Sequence, residues 1–228
     1  MKHFVPTFLK DGQTLLNDLK HIILPSNAIL FTADANSMYN NIDTDHAIKV
    51  ISWWLDELEP DLPPDFPIDA VKYAMHFIMK YNIFEWGTLH LLQLIGTAMG
   101  TSAAVMWATL YFGYHEAHCL IPKYGSYLLY FRQFVDDIFG IWLDDGSNQW
   151  VDFCNDINNF GILTWEINKP SNSVDFLDLM LTIKGSKIVS KTYQKAMNLY
   201  LYLPAASAHP QSCLKGTFFG LVRRYYMR

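Results

Sequence analysis

Cysteine is scarce in this chain. Its three residues, Cys119, Cys154 and Cys213, lie far apart and show none of the close spacing used by metal sites or disulfide frameworks. Reduced structural thiols and an intracellular protein are expected. Charge is sparse too, 17% of 228 residues against 51% hydrophobic, which excludes a disordered chain and allows a full core in one large domain, or in a small one with an appendage. The start, Met1-Lys2-His3-Phe4-Val5-Pro6, lacks a sustained apolar run, so no secretory leader is expected. Internal repeats and low-complexity tracts are also missing.

Two absences are local. No charged residue occurs from Leu91 to Tyr114. That length is enough to cross a bilayer, and Gly96-Thr97-Ala98-Met99-Gly100 has the small-xxx-small form. Gln93, Thr97, Thr101 and Ser102 interrupt the run, and no basic flank or second span accompanies it. The reading preferred is a Gly-rich loop at 96–100 feeding a fully buried helix over 101–119, with no membrane partner. Basic residues, in turn, are rare before position 169. Residues 1–168 hold 8 Lys+Arg against 20 Asp+Glu, a balance of −12, and residues 169–228 hold 9 against 2, a balance of +7. An acidic body with a basic last quarter suits a metal-binding centre beside a polyanion track, or a basic tail packed on its own acidic body.

What is present reads as alternating strands and helices. An amphipathic helix is predicted over 13–23 and an apolar buried strand over 28–33 that delivers Asp34 at its end. Helices are predicted next over 44–58, capped by Asp43 or Thr44, and over 68–81. The proline-rich stretch 59–67 between them excludes helix. A strand, a turn at Gly87 and a second strand are predicted over 82–92. Tyr130 to Trp142 reads as a hairpin with Asp136 and Asp137 at its turn, then come a helix over 149–160 and a strand over 162–167. A hairpin pairs 174–183 with 187–193, and a basic, aromatic helix spans 212–228. Interleaving of this kind implies an α+β domain in which a sheet is covered on one face by helices and Asp34 lies beside Asp136 on neighbouring strands. The Asp136-Asp137 pair, alone, fits either an exposed acidic turn or two carboxylates neutralised by a cation. With Asp34, three carboxylates converging on one point are what two Mg²⁺ ions require.

The chain resembles the palm of reverse transcriptases, most closely the Penelope-like retroelement branch. Phe31-Thr32-Ala33-Asp34-Ala35-Asn36-Ser37-Met38-Tyr39-Asn40-Asn41-Ile42 looks like that family's first catalytic motif. Gln93 with Gly96 to Ala104 looks like the second, and Phe131-Arg132-Gln133-Phe134-Val135-Asp136-Asp137-Ile138-Phe139 like the third. Phe176-Leu177-Asp178, Lys191 to Lys195 and Ser207-Ala208-His209-Pro210 are similar to the post-palm segment of that branch. The resemblance runs from about residue 28 to the end.

It implies an RNA-directed DNA polymerase that extends a primer on an RNA or DNA template with dNTPs, using two Mg²⁺ ions for which Mn²⁺ can substitute. In a eukaryotic host it would work in the nucleus. Asp34 and Asp136 would be the main metal ligands, the Ala35 carbonyl would assist and Asp137 would be more peripheral. Tyr39 would exclude a 2′-hydroxyl, unless it is a core aromatic. Gln93, Gly96, Met99 and Gly100 would line the nucleotide pocket. Lys169 would be a general acid toward pyrophosphate, or else a solvated turn lysine. Lys184, Lys187, Lys191, Lys195, Arg223 and Arg224 would meet phosphates. The implied division is a fingers or connector remnant at 1–27, a palm at 28–183, and a basic hairpin with the start of a thumb at 184–228. Only 33 residues precede Asp34, so a family member's fingers and thumb would have to come from the rest of a longer polyprotein. The alternative is a catalytically inactive, nucleic-acid-binding remnant.

Overall fold

The computed structural model describes residues 5–193, 203–204 and 207–226, apart from the side chains of Arg224 and Tyr226. Lys195 lies outside the described residues. In chain order, Asp11 caps helix α1 (Gly12–Leu19) by accepting hydrogen bonds from the Thr14 amide and hydroxyl at 2.7 and 2.8 Å. The helix stops at Leu19, short of the predicted 23, because the chain is drawn off it: the Leu24 amide donates to the Ser186 carbonyl at 2.9 Å. Strand β1 (Ala28–Ala35) comes next, then a 3₁₀ turn at Met38–Asn40. Helix α2 (Thr44–Glu57) is capped by Asp43, which accepts from the His46 amide at 2.9 Å. The stretch expected to exclude helix holds one 3₁₀ turn, Glu59–Asp61. Pro60 sits at its beginning, where a missing N–H costs nothing.

Helix α3 (Ile68–Lys80) leads to the hairpin β2 (Ile83–Trp86) and β3 (Leu89–Leu92), in the places predicted. Both of its faces are exposed. The hairpin, Leu94 after it and the outer side of α3 carry exposed apolar side chains, among them Tyr73, Phe77, Ile83, Trp86 and Leu89. Helix α4 (Ala104–His115) begins later than expected and is not wholly buried, since Val105 and Met106 face outward. A π turn, Glu116–Leu120, carries it into the short α5 (Ile121–Tyr124). Among the described residues no helix is long and apolar enough to cross a membrane.

Strands β4 (Leu128–Phe134) and β5 (Asp137–Leu143) form the acidic hairpin, and helix α6 (Gln149–Asp156) and strand β6 (Trp165–Ile167) come next, both shorter than predicted. Beyond Asp156 the chain turns, and Phe160 forms an isolated bridge with Leu163. The strand expected over 174–183 is two strands, β7 (Ser173–Phe176) and β8 (Leu179–Lys184), folded about Leu177 at φ 54°. The turn keeps Phe176 and Leu179, which pair across it, both in the core. β8 then pairs with β9 (Lys187–Thr192), and helix α7 (Gln211–Tyr226) closes the described chain.

The central sheet runs β4-β5-β1-β6, every pair antiparallel. Alternation along β1 divides the core in two. Phe31, Ala33 and Ala35 enter a cluster with α2, α4 and α6, whereas Ala28 and Leu30 enter one with α1 and the sheet β7-β8-β9. The sheet is therefore covered on both faces, not one. Gly140, paired with Phe31, has no room for a side chain, because a Cβ there would lie 2.3 Å from the Phe31 ring.

Candidate active site at the end of the central sheet

Register places the acids. Asp34 pairs with Asp137 at the end of the β1–β5 ladder, and Glu166 of β6 pairs with Asp34 from the other side. Directly opposed residues in antiparallel strands point to the same face. Asp137, Asp34 and Glu166 therefore form one row across three strands, on the face that also carries Leu30 and Phe139. Asp136 lies one residue earlier, in the two-residue turn Val135-Asp136. Its carbonyl accepts from the Ala35 amide at 2.8 Å, which ties the turn to the end of β1. Asp34 is exposed, and Asp136 and Asp137 are half-buried.

The turn is held in an unfavourable shape. Val135, a β-branched residue, has φ 55°, a conformation such side chains resist. Gln133 compensates: it is fully buried, and its side-chain amide donates to the Val135 carbonyl at 2.7 Å. Sequence reasoning gave Gln133 no role. An amide three residues before an acidic turn, pointing inward by strand alternation, was the available signal.

Tyr39 sits on the 3₁₀ turn after β1, half-buried against the helical core. Burial, and then the nearby Asp136 charge, raise its phenol above the ordinary tyrosine range. The Gly-rich loop docks on this turn. The Thr97 amide donates to the Tyr39 carbonyl at 2.7 Å and the Gly96 amide to the Ile42 carbonyl at 2.9 Å. Gly96 is required there: its φ is 84°, and a Cβ would stand 2.3 Å from the Tyr39 carbonyl oxygen. Gly100 (φ 95°) and Met99 are exposed with space around them, and Gln93 donates to the Ile95 carbonyl at 2.9 Å.

Lys169 is exposed, and its neighbour Asn168 donates to Thr32, two residues before Asp34 on β1, through both backbone and side chain, each at 2.9 Å. It forms no ion pair among the described residues. Lys184, Lys187 and Lys191 share the outward face of the small sheet, since Lys184 pairs with Lys187 and Lys191 with Met180. Arg223 is exposed on α7, close enough to Asp11 to be a minor contributor, after the two Thr14 hydrogen bonds, to that carboxyl's lowered pKa.

Among the described residues, no three His, Cys, Asp or Glu side chains form a ready-made metal cage. The donors at the row are all carboxylate oxygens, the chemistry of a hard cation. Mg²⁺ in particular takes one or two carboxylates and completes its shell with water and substrate phosphate, not with a full protein cage. Asp34 and Asp137, opposed across β1 and β5, are two carboxylates of the kind that requirement calls for.

No protein-family model matches the sequence, and no curated protein matches it. Solved structures do. Apo telomerase from Candida tropicalis, truncated from its C-terminal domain, superposes with a TM-score of 0.60 at 11% identity, over 82% of this chain and 41% of that one. Telomerase from Candida albicans in complex with a TWJ fragment of telomeric RNA gives 0.58 at 11%, over 84% and 36%. The BmCPV RNA-dependent RNA polymerase at elongation state gives 0.55 at 15%, over 79% and 18%. The fold is of the polymerase palm type. This chain spans less than half the length of each of these polymerases.

Proposed function

We propose that the chain is the palm of a template-directed nucleic-acid polymerase, specifically a reverse transcriptase of the Penelope-like kind acting with two divalent metal ions. One observation carries the reading: the Asp34–Asp137 pair closes the β1–β5 ladder while the Asp136 turn is bonded to Ala35 and stands beside Tyr39. Asp34 and Asp136 would hold Mg²⁺ or Mn²⁺, with Asp137 and the Ala35 carbonyl at the margin. Bound there, the metals supply a lowered pKa at the primer hydroxyl and charge neutralisation at the leaving phosphate.

The chain's own residues do the rest. The Tyr39 ring, fixed at its backbone by the Thr97 amide, offers a steric floor beneath the nucleotide sugar. Gln93, Gly96, Met99 and Gly100 form the adjoining wall. Lys184, Lys187 and Lys191 give the duplex a cationic face separate from the acids. RNA or DNA template with primer and dNTPs are the proposed partners, in an intracellular and, for a eukaryote, nuclear setting. The exposed, apolar β2–β3 hairpin and the chain after it have no Lys or Arg from Tyr81 to Tyr114, and the two lysines of α3, Lys72 and Lys80, are paired with Asp56 and Asp45. This surface suits further polymerase polypeptide better than it suits phosphate. Because the chain spans only part of the polymerases it superposes on, the alternative is a nucleic-acid-binding remnant without turnover.

Primer extension separates the two. With the remaining polymerase segments supplied, wild-type protein should extend with dNTPs, and Tyr39→Ala should admit ribonucleotides while keeping dNTP use. Unchanged sugar discrimination would return Tyr39 to a core role. Binding without extension under those conditions would favour the remnant.

A further inference from the structure

Glu116 is a carboxyl in the wrong place for a surface helix. It opens the π turn after α4, is 1% exposed and forms no ion pair among the described residues. One oxygen accepts the Thr7 hydroxyl, and the other meets no hydrogen-bond partner. Thr7 belongs to the segment that runs along the outer edge of β4. There the Gln133 amide donates to the Thr7 carbonyl at 2.9 Å and the Leu9 amide to the Gln133 carbonyl at 2.8 Å. Gln133 in turn holds the Val135 carbonyl, next to Asp136. A continuous set of bonds thus joins Glu116 to the acidic turn. A groove of about 490 Å³ borders it, lined by Pro6, Thr7, Glu116, Leu129 and Arg132 among others.

We infer that Glu116 is a positioning residue for the acidic turn, acting through Thr7 and Gln133, and that it does so only as the neutral acid. The inference rests on the reading of that turn as the metal-binding one. A neutral carboxyl tolerates one oxygen without a donor, whereas an anion there would be desolvated and unpaired. Burial indeed pushes the Glu116 pKa up to about 8, against smaller opposing effects of the Thr7 hydroxyl and the Arg132 charge. Arg132 is the charged group facing it from β4. The N-terminal segment contributes the uncharged Thr7, and the neighbouring His115 and His118 are bonded to the Asp156 and Tyr114 carbonyls. Ionisation draws water to the bare oxygen through the groove, and that water parts the backbone of the Pro6-Thr7 edge from β4 while the carboxylate keeps the Thr7 hydroxyl. π turns recur at functional sites, and this one places a buried acid where it reads the state of the segment.

The test is an NMR titration of the whole chain, with amide exchange corrected for intrinsic rates. In wild type, protection of the Leu9 and Gln133 amides should fall by about tenfold per pH unit up to the Glu116 midpoint and level off above it, and the Val135 and Asp136 amide shifts should move about that midpoint. Glu116→Gln, an isostere of the neutral acid, should hold all four steady. Thr7→Val should raise the midpoint by removing the bond that favours the anion, and Thr7→Ser should restore it. A wild-type profile identical to that of Glu116→Gln, or loosening of Leu9 and Gln133 with Val135 and Asp136 unmoved, would overturn the inference. None of these signals needs catalysis. A failure to bind metal or extend primer with the titration intact would count against the polymerase reading alone.

Discussion

The two sheets carry opposite charge, and they carry it by different means. At the end of β4-β5-β1-β6 the acids are fixed by backbone register: Asp137, Asp34 and Glu166 are in line because their strands pair at those residues. On β7-β8-β9 the lysines share a face because strand alternation puts Lys184, Lys187 and Lys191 outward, with no ion pair among the described residues to orient them. The first arrangement is geometric, so one residue can destroy it. The second is a sum of exposed charges, so each residue contributes a share.

The largest effect should come from breaking the first. Asp136→Asn should remove Mn²⁺ binding, measured by calorimetry, and any primer extension. The melting temperature should hold or rise, because like-charge repulsion beside Asp34 and Asp137 is relieved. Retained metal affinity in a folded variant would separate the Asp136 turn from metal chemistry.

Next in size is the pH dependence of stability. Glu116 has a folded pKa, about 8, above its unfolded carboxylate value. Its folded form therefore binds more protons than its unfolded form between those two values. Stability should fall as pH rises through that window, by up to about 1.4 kcal/mol per pH unit, and level off above it. Urea midpoints should show this slope in wild type and lose it in Glu116→Gln.

Locality decides how much of this was legible in the sequence. Asp34 could be placed because an apolar run ends at it. The Asp136 hairpin could be placed because aromatic and β-branched flanks surround two acids, and Gly87 announced its own turn. Glu116 could not. In one dimension it is an acid on a helix, and only the π turn and the return of Thr7 across 109 positions bury it. The Leu177 turn was equally hidden, since a left-handed leucine leaves no glycine to mark it. The second cover of the central sheet needed β7 to β9 to fold back over β1, a long-range choice that periodicity does not encode. Lys169 was suggested by family resemblance alone, and the pairing of Asn168 with Thr32 fixes its neighbour beside β1.

A smaller effect should sharpen the geometric side of the comparison. Gly96→Ala places a methyl 2.3 Å from the Tyr39 carbonyl oxygen and forces an L-residue to φ 84°. The expected loss is more than about 1 kcal/mol of stability. The Tyr39 ring should shift with its turn, visible as a change in its NMR environment. Gly100→Ala, with a similar φ but open space, should leave Tyr39 unmoved.

The smallest effect should come from a single lysine of the basic face. Lys187→Ala removes one exposed ammonium at the β8–β9 turn, where no ion partner among the described residues is left behind. The fold should not notice, and the unfolding midpoint should stay put. If Lys187 meets one phosphate, the slope of log affinity against log salt for a primer–template duplex should drop by about 0.9, and affinity should weaken evenly across sequences. Lys191→Ala should add a similar decrement, because neither lysine positions the other. A loss from one substitution as large as from both would mean that the face is geometric after all, with one lysine holding a defined phosphate as the acids hold a metal. An unchanged slope with all three lysines replaced would move the nucleic-acid track off this sheet.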